Sequence, residues 1–259
     1  MDIQQQEHCK LLVIGESCRD LFIYGEVSRL CPEAPAPVFS FMHKTENAGM
    51  AGNVSANLTS LGVEHDFITN KNYKTVKKVR YVDYRTNTLF IRVDKNDDKI
   101  ERCDVSDIDF SLYSAVIISD YCKGFLTEED ITFITDKHDV VFLDTKKTLG
   151  SWCEKAFIIK INASETENST SMLADEIKKK IICTQGPAGC VYGEKKFPVT
   201  EVPIKDVSGA GDTFLAALVA CYTRYKDLER AIKFANKCAT EVVQKRGVVP
   251  VREPQEKHW

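Results

Sequence analysis

The sequence contains no apolar stretch of membrane-spanning length. Apolar runs such as Ala115-Val116-Ile117-Ile118 are of strand length. No Cys-x-x-Cys pair occurs among its ten cysteines, and its five histidines (His8, His43, His65, His138, His258) have no metal-ligand spacing, which argues against structural zinc. No internal repeat and no low-complexity linker interrupts the chain. Neither charge sign dominates: the net charge is -3, so neither a nucleic-acid nor an anionic-membrane partner is expected. Met1 to Lys10 is polar and carries Asp2 and Glu7, unlike a signal peptide. The scattered cysteines, several in core-like contexts such as Cys183 and Cys221, read as free thiols of a reducing, cytoplasmic compartment.

What is present suits one large α/β domain, with or without a small appendage: 259 residues, 43% hydrophobic and 28% charged. Leu11 to Gly15 reads as a buried strand. Leu21 to Tyr24 and Pro37 to Met42 read as short strands around a proline-rich link, and Ala51 to Leu61 as a helix closed by Gly62. Val76 to Tyr84 and Thr88 to Asp94 read as strands of a half-exposed sheet. From Ser114 onward the pattern alternates. Ala115 to Asp120, Val140 to Asp144 and Phe157 to Ile161 are strands, and Thr127 to Lys137 is a helix, which predicts a parallel sheet covered on both faces. Ala210 to Lys226 and Leu228 to Lys245 are the closing helices, and Arg252 to Trp259 reads as a tail. Two strands end in carboxylates, Asp120 and Asp144. Ligands bind at that end of an open parallel sheet, although an aspartate there also serves as a cap or turn former.

The most chemical segment is Asp206-Val207-Ser208-Gly209-Ala210-Gly211-Asp212, which runs straight into an apolar helix. A helix N-terminus offers unpaired N–H groups, and glycines let an anion approach them. A carboxylate there repels an anion but can take the proton of a hydroxyl that attacks phosphorus. The segment alone is equally compatible with a turn followed by an Asp212 helix cap.

That segment resembles the signature of the ribokinase-like (PfkB) sugar kinases. Asn162-Ala163-Ser164-Glu165 is similar to that family's Asn-x-x-Glu motif, and Gly49 with Asn53 to its N-terminal sugar-binding signature. The opening Gly15-Glu16-Ser17-Cys18-Arg19-Asp20, the run Ser28 to Val38, Ser119-Asp120-Tyr121-Cys122-Lys123-Gly124 and Phe234-Ala235-Asn236 resemble the D-glycero-D-manno-heptose 7-phosphate kinases. The resemblance departs at Met50, where the second glycine of a pair is expected. It departs also at Thr69 to Thr75 and Glu165 to Ile181, which look shortened, and after Trp259, where no nucleotidyltransferase half follows. The chain is therefore expected to perform at most the kinase step.

The resemblance implies a three-layer α/β/α ribokinase-like domain over residues 1–259 with a mainly parallel central sheet. Segments of about 20–43 and 76–95 would form a small β-sheet lid that pairs two copies into a homodimer. It implies Asp212 as general base, with N–H groups of Gly209, Ala210 and Gly211 receiving the transferred phosphoryl group. Asp20, Gly49, Asn53, Asp120 and Lys123 would hold the sugar. A sugar phosphate also needs cations, and Lys77, Arg80, Arg85 and Arg92 stand on the lid strands, where they would serve either as phosphate ligands or as a solvated basic edge. Asn162, Glu165, Thr184, Gly186, Gly189 and Asn236 would hold ATP, with Glu165 reaching Mg2+ through water. The acceptor is expected to be heptose 7-phosphate, with another sugar or a nucleoside, or an idle nucleotide- or sugar-binding role, as the alternatives.

Overall fold

Alternate residues of the first strand serve opposite layers. The computed structural model describes residues 10–169 and 173–252, so the N-terminal segment, the closing tail and part of the stretch after Glu165 lie outside the described residues. In chain order the elements are β1 (Leu11–Gly15), β2 (Ser17–Leu30), β3 (Pro37–Met50), α1 (Ala51–Ser60), β4 (His65–Ile68), β5 (Lys77–Asp83), β6 (Leu89–Lys95), β7 (Ala115–Asp120), α2 (Glu128–Lys137), β8 (Val141–Thr145), β9 (Ile158–Asn162), α3 (Ala163–Ser169), α4 (Asp175–Lys178), β10 (Ile181–Thr184), β11 (Cys190–Tyr192), β12 (Lys195–Phe197), α5 (Ala210–Tyr225) and α6 (Leu228–Val242). Leu11 and Val13 pack with α1, α5 and α6, whereas Leu12 and Ile14 pack with α2 on the opposite face. Such two-sided burial explains why β1, β7 and β8 are buried throughout and open on continuous apolar runs rather than alternating.

The central sheet has the order β12-β11-β10-β9-β8-β7-β1-β4. It is parallel from β4 to β10, and β11 and β12 add antiparallel at one edge. The expected three-layer α/β domain with a mainly parallel sheet is therefore what the chain forms. Helix α5 is apolar around most of its circumference because it is covered by α1 as well as α6, and Thr213 through Cys221 are buried.

The second sheet, β3-β2-β5-β6, is the lid. Its first hairpin is much longer than the sequence suggests: β2 and β3 have 14 residues each and continue into the body of the molecule. β2 starts next to β1, and β3 runs directly into α1. The missed residues of β3, His43 through Asn47, are polar, and an exposed strand of that kind carries no apolar period to read.

The lid is fastened to the body at its β5–β6 turn. Arg246 donates to the carbonyls of Tyr84 and Arg85, each at 2.8 Å, and Asn87 Nδ2 donates to the carbonyl of Lys205 at 3.0 Å. Beneath the turn, Val248 packs against Phe22, Tyr24 and Val82 of the lid.

Candidate active site

Gly209 opens α5 with φ 78°, a left-handed conformation that costs glycine little, and a Cβ there would come within 2.9 Å of Val248. This turn sets the start of α5 in one cleft with Asp144, Lys160 and Asn162 at the ends of the central strands, and the Ala210 N–H donates to the Val207 carbonyl at 3.2 Å. Asp212 sits in that first turn and is 6% exposed. Its Oδ2 accepts from Asn53 Nδ2 at 3.0 Å, and its Oδ1 accepts from the Tyr121 hydroxyl at 2.7 Å. Burial pushes the Asp212 carboxyl above its ordinary value of 3.8. The Asn53 and Tyr121 hydrogen bonds oppose that rise, Asp144 adds to it, and Lys160 opposes it. Asn53 is itself held by Asn57, one turn along α1, whose Nδ2 donates to the Asn53 carbonyl and whose Oδ1 accepts from Thr213 Oγ1 and from the Val251 N–H. Helices α1 and α5 are thus locked by one buried amide.

On one side of Asp212 lies a cleft of about 720 Å³. Gly209, Ala210, Gly211, Lys160, Asp144, Lys146 and Asn162 line its polar end. Thr184, Gly186, Gly189 and Asn236 lie along it together with the apolar Val199, Val202, Ile204, Phe214 and Val243. The sequence-predicted nucleotide residues other than Glu165 therefore share one cavity. Lys160, which sequence reasoning missed, is 3% exposed, pairs with Asp144 Oδ2 at 2.6 Å, and has its Nζ 3.0 Å from where a Cβ on Gly211 would be. A single lysine inside the otherwise apolar strand Phe157-Ile158-Ile159-Lys160-Ile161 was its signal.

The Asn-x-x-Glu motif forms a reciprocal cap on α3. Asn162 Oδ1 accepts from the Glu165 N–H at 3.0 Å, and Glu165 Oε2 accepts from the Asn162 N–H at 2.9 Å. The remaining Glu165 oxygen is paired with Lys146. Burial works against the charge of Lys146, but Asp144 and Glu165 outweigh it and raise its pKa. Asp144 Oδ1 is buried with no hydrogen-bond partner among the described residues, so an acceptor oxygen stands ready beside this cluster. Among the described residues no group of three or more His, Cys, Asp or Glu side chains is placed to hold a metal by itself. Gly189, at φ 86°, and Gly186 belong to a hairpin turn, and Asn236 Nδ2 is engaged by the Phe197 carbonyl at 2.9 Å.

The other side of Asp212 is covered by the lid. Asp20 is buried and paired with Arg80 Nε at 3.0 Å. Directly across the hairpin, Asn47 has a buried Oδ1 without a partner among the described residues. Lys78 stands over the Tyr121 ring at 5.2 Å, and Arg92 opposes Arg80 in register, which gives that face the cations Lys78, Arg80 and Arg92. Lys123, paired with Asp97 at 2.8 Å, lies close enough to feel Arg92 and Asp94. Three predicted residues are not brought there. Lys77 falls on the opposite face with Arg19 and Glu46, one register step from Lys78. Arg85 is in the β5–β6 turn, bonded to Glu26. Asp120 is buried against Lys147 and Thr145, where it organises the β7 and β8 ends rather than facing the crevice. Gly49, expected to hold the sugar, is tightly enclosed beside Asp20: a Cβ there would lie 2.8 Å from Cys18 Sγ and 3.0 Å from Asp20 Cβ. Met50 takes φ 62° and ψ -136° at the N-cap of α1 while buried, a conformation suited to the glycine that the pattern expects.

The sequence matches the pfkB family of carbohydrate kinases over residues 11–255. The chain belongs to this family. The family's description is that of carbohydrate kinases, which are phosphotransferases acting on hydroxyl groups. The chain is 30% identical to a bifunctional protein HldE of Helicobacter pylori across 92% of its own length and 63% of the relative's. That match extends over 293 positions, more than the 259 residues of the chain, so the relative carries segments that this pfkB protein lacks. The chain thus spans about 63% of the length of this curated relative. Among solved structures it is similar to ribokinase from Thermotoga maritima (TM-score 0.72, 17% identity, 95% and 97% of the two chains). It is also similar to an Arabidopsis thaliana ribokinase complexed with ribose and ATP (TM-score 0.67, 19% identity, 95% and 96%). These likenesses establish the ribokinase-like fold.

Proposed function

We propose that this pfkB carbohydrate kinase transfers the γ-phosphoryl group of ATP to a hydroxyl of a sugar phosphate, with the anomeric hydroxyl of D-glycero-D-manno-heptose 7-phosphate as the foremost acceptor. The observation that carries the reading is the placement of Asp212: a buried carboxylate at the start of α5, between a nucleotide-sized cleft and a lid face that carries cations. The acceptor hydroxyl gives its proton to Asp212 while its oxygen bonds to the γ-phosphorus. The bond from that phosphorus to the bridging oxygen breaks, and ADP leaves. The first N–H groups of α5 and the Lys160 ammonium take up charge on the transferred group. Glu165 would hold Mg2+ through water, beside Asp144 Oδ1, which accepts no hydrogen bond among the described residues and has Lys146 Nζ 3.8 Å away. The oxygen donors suit that ion, which would neutralise the triphosphate. Asp20, Asn47 and Asn53 would bind sugar hydroxyls, and Lys78, Arg92 and Lys123 the sugar's phosphate.

Heptose ranks first because relatives 30% identical to the chain carry the HldE name. The test is ADP release from Mg-ATP with heptose 7-phosphate, fructose 6-phosphate, ribose and a nucleoside, run beside Asp212→Asn. Turnover with heptose 7-phosphate that the substitution abolishes supports the whole reading. Turnover with another acceptor alone removes heptose and keeps the base. ATP binding without turnover on any acceptor favours an idle homologue. The outer lid face, where Phe41 is 62% and Ile91 56% exposed, supports a homodimer formed through the lid.

A further inference from the structure

Tyr121 is quoted in the Ser-Asp-Tyr-x-Lys-Gly motif, yet neither the motif nor the phosphoryl-transfer scheme gives its side chain a task. Its surroundings do. The hydroxyl donates to Asp212 Oδ1 at 2.7 Å. Two lysines bracket the ring, with Lys78 Nζ 5.2 Å and Lys146 Nζ 5.7 Å from its centroid, one on the lid and one beside the nucleotide cleft. The backbone is anchored as well. The Tyr121 and Lys123 N–H groups both donate to the buried Glu16 carboxylate at 2.8 Å, and Cys122 between them is held at φ 56°. A phenol so constrained has little freedom to leave its acceptor, and it sits where the two compartments of the site meet.

We propose that Tyr121 is a positioning residue for the general base: its O–H holds the Asp212 carboxylate in one orientation and favours its ionised form. Asn53 constrains the other oxygen, so Asp212 is gripped from both sides and an arriving hydroxyl meets a carboxylate that cannot rotate. Other charged or titratable groups bear on this pair. Asp144 and Lys160 act on Asp212, Asp144 and Cys18 on Tyr121, and Lys78 and Lys146 stand by the ring. Burial and the Asp212 charge push the phenol pKa well up, so Tyr121 stays a donor at any working pH. The proposal rests on the reading of Asp212 as base only for its kinetic arm.

Thermal denaturation of the ligand-free protein at pH 8 compares wild type, Tyr121→Phe, Asp212→Ala and the double variant. Tyr121→Phe is expected to lower Tm by about 2–4 °C in the wild-type background and by under about 1 °C once Asp212 is absent. Additive losses in the cycle overturn the proposal. The pH profile of kcat/KM, taken with whichever acceptor turns over, is expected to show the acid limb of Tyr121→Phe displaced upward by about half a unit to one unit, with the two curves meeting at higher pH. An equal loss at every pH with a raised acceptor KM overturns it too, since Tyr121 would then be only a wall of the acceptor pocket. If wild type phosphorylates no acceptor, the base reading fails on its own, and the thermal cycle still decides whether Tyr121 orients Asp212.

Discussion

Lys160 Nζ stands 3.0 Å from the position that a Cβ on Gly211 would occupy, and its ammonium is bonded to Asp144 at 2.6 Å. A buried cation therefore touches the turn proposed to receive phosphate, and its own carboxylate partner is equally buried. Removing one member of such a pair leaves the other uncompensated. Lys160→Met is expected to destabilise the protein by about 3–5 kcal/mol, with much of that recovered in Lys160→Met/Asp144→Leu. Urea denaturation of the two variants checks it. A single variant as stable as wild type would refute the arrangement.

A burial-raised carboxyl has a definite effect on stability. The Asp212 pKa lies above its unfolded value, so the folded state favours the protonated form. Folding stability from this group is then present at low pH and is lost as pH rises through the interval between the unfolded and folded values. Asp212→Asn, neutral at all pH, is expected to gain stability over wild type at pH 7.5 and to lose that advantage near pH 4. At the same time turnover should fall on the order of a hundredfold or more. Parallel Tm measurements at the two pH values test the sign.

Met50 tests the backbone. Its φ of 62° disfavours any side chain, while its buried thioether packs with Cys18 and Val76. Met50→Ala loses the packing and keeps the strain, whereas Met50→Gly loses the packing and relieves it. Met50→Gly is expected to be the more stable of the two by about 1–2 kcal/mol, the reverse of the ordinary helix preference. Chemical denaturation midpoints decide.

Much of this architecture is legible from residue order. The two-sided strands β1, β7 and β8 appear as short apolar runs, β9 as one broken by Lys160, and α5 and α6 as helical stretches, because burial on both faces or along one stripe leaves a period in the sequence. The cleft residues from Asn162 to Gly189 stand at or just past strand ends, whereas Asn236 lies inside α6, and the family resemblance rather than a local pattern is what marks them. Register is what the sequence withholds. Lys77 and Lys78 are adjacent and equally basic, and only pairing with β2 decides that Lys78 faces Tyr121 while Lys77 joins Arg19. Asp120 reads from its strand end as a crevice carboxylate, but Lys147, 27 residues away, pairs with it. The grip of Asn53 and Tyr121 on Asp212 spans separations of 159 and 91 residues, beyond what any local pattern can encode.

The outer lid face gives a prediction about assembly. Phe41 and Ile91 lie exposed on a sheet whose inner face is committed to the site. Phe41→Lys/Ile91→Lys is expected to convert a sedimenting dimer into a monomer, with kcat for small acceptors changed less than threefold. A wild-type monomer at micromolar concentration would remove the lid-paired dimer.

The stitching of the β5–β6 turn to Lys205 and Arg246 has a mechanical consequence. The segment that begins at Lys205 is the same one that, four residues later, turns at Gly209 into α5, and Val248 leans on both Gly209 and the lid aromatics. The small sheet and the turn that opens α5 are therefore tied into one piece, so under the proposed function any displacement of the sheet is passed to the turn that would receive the phosphoryl group.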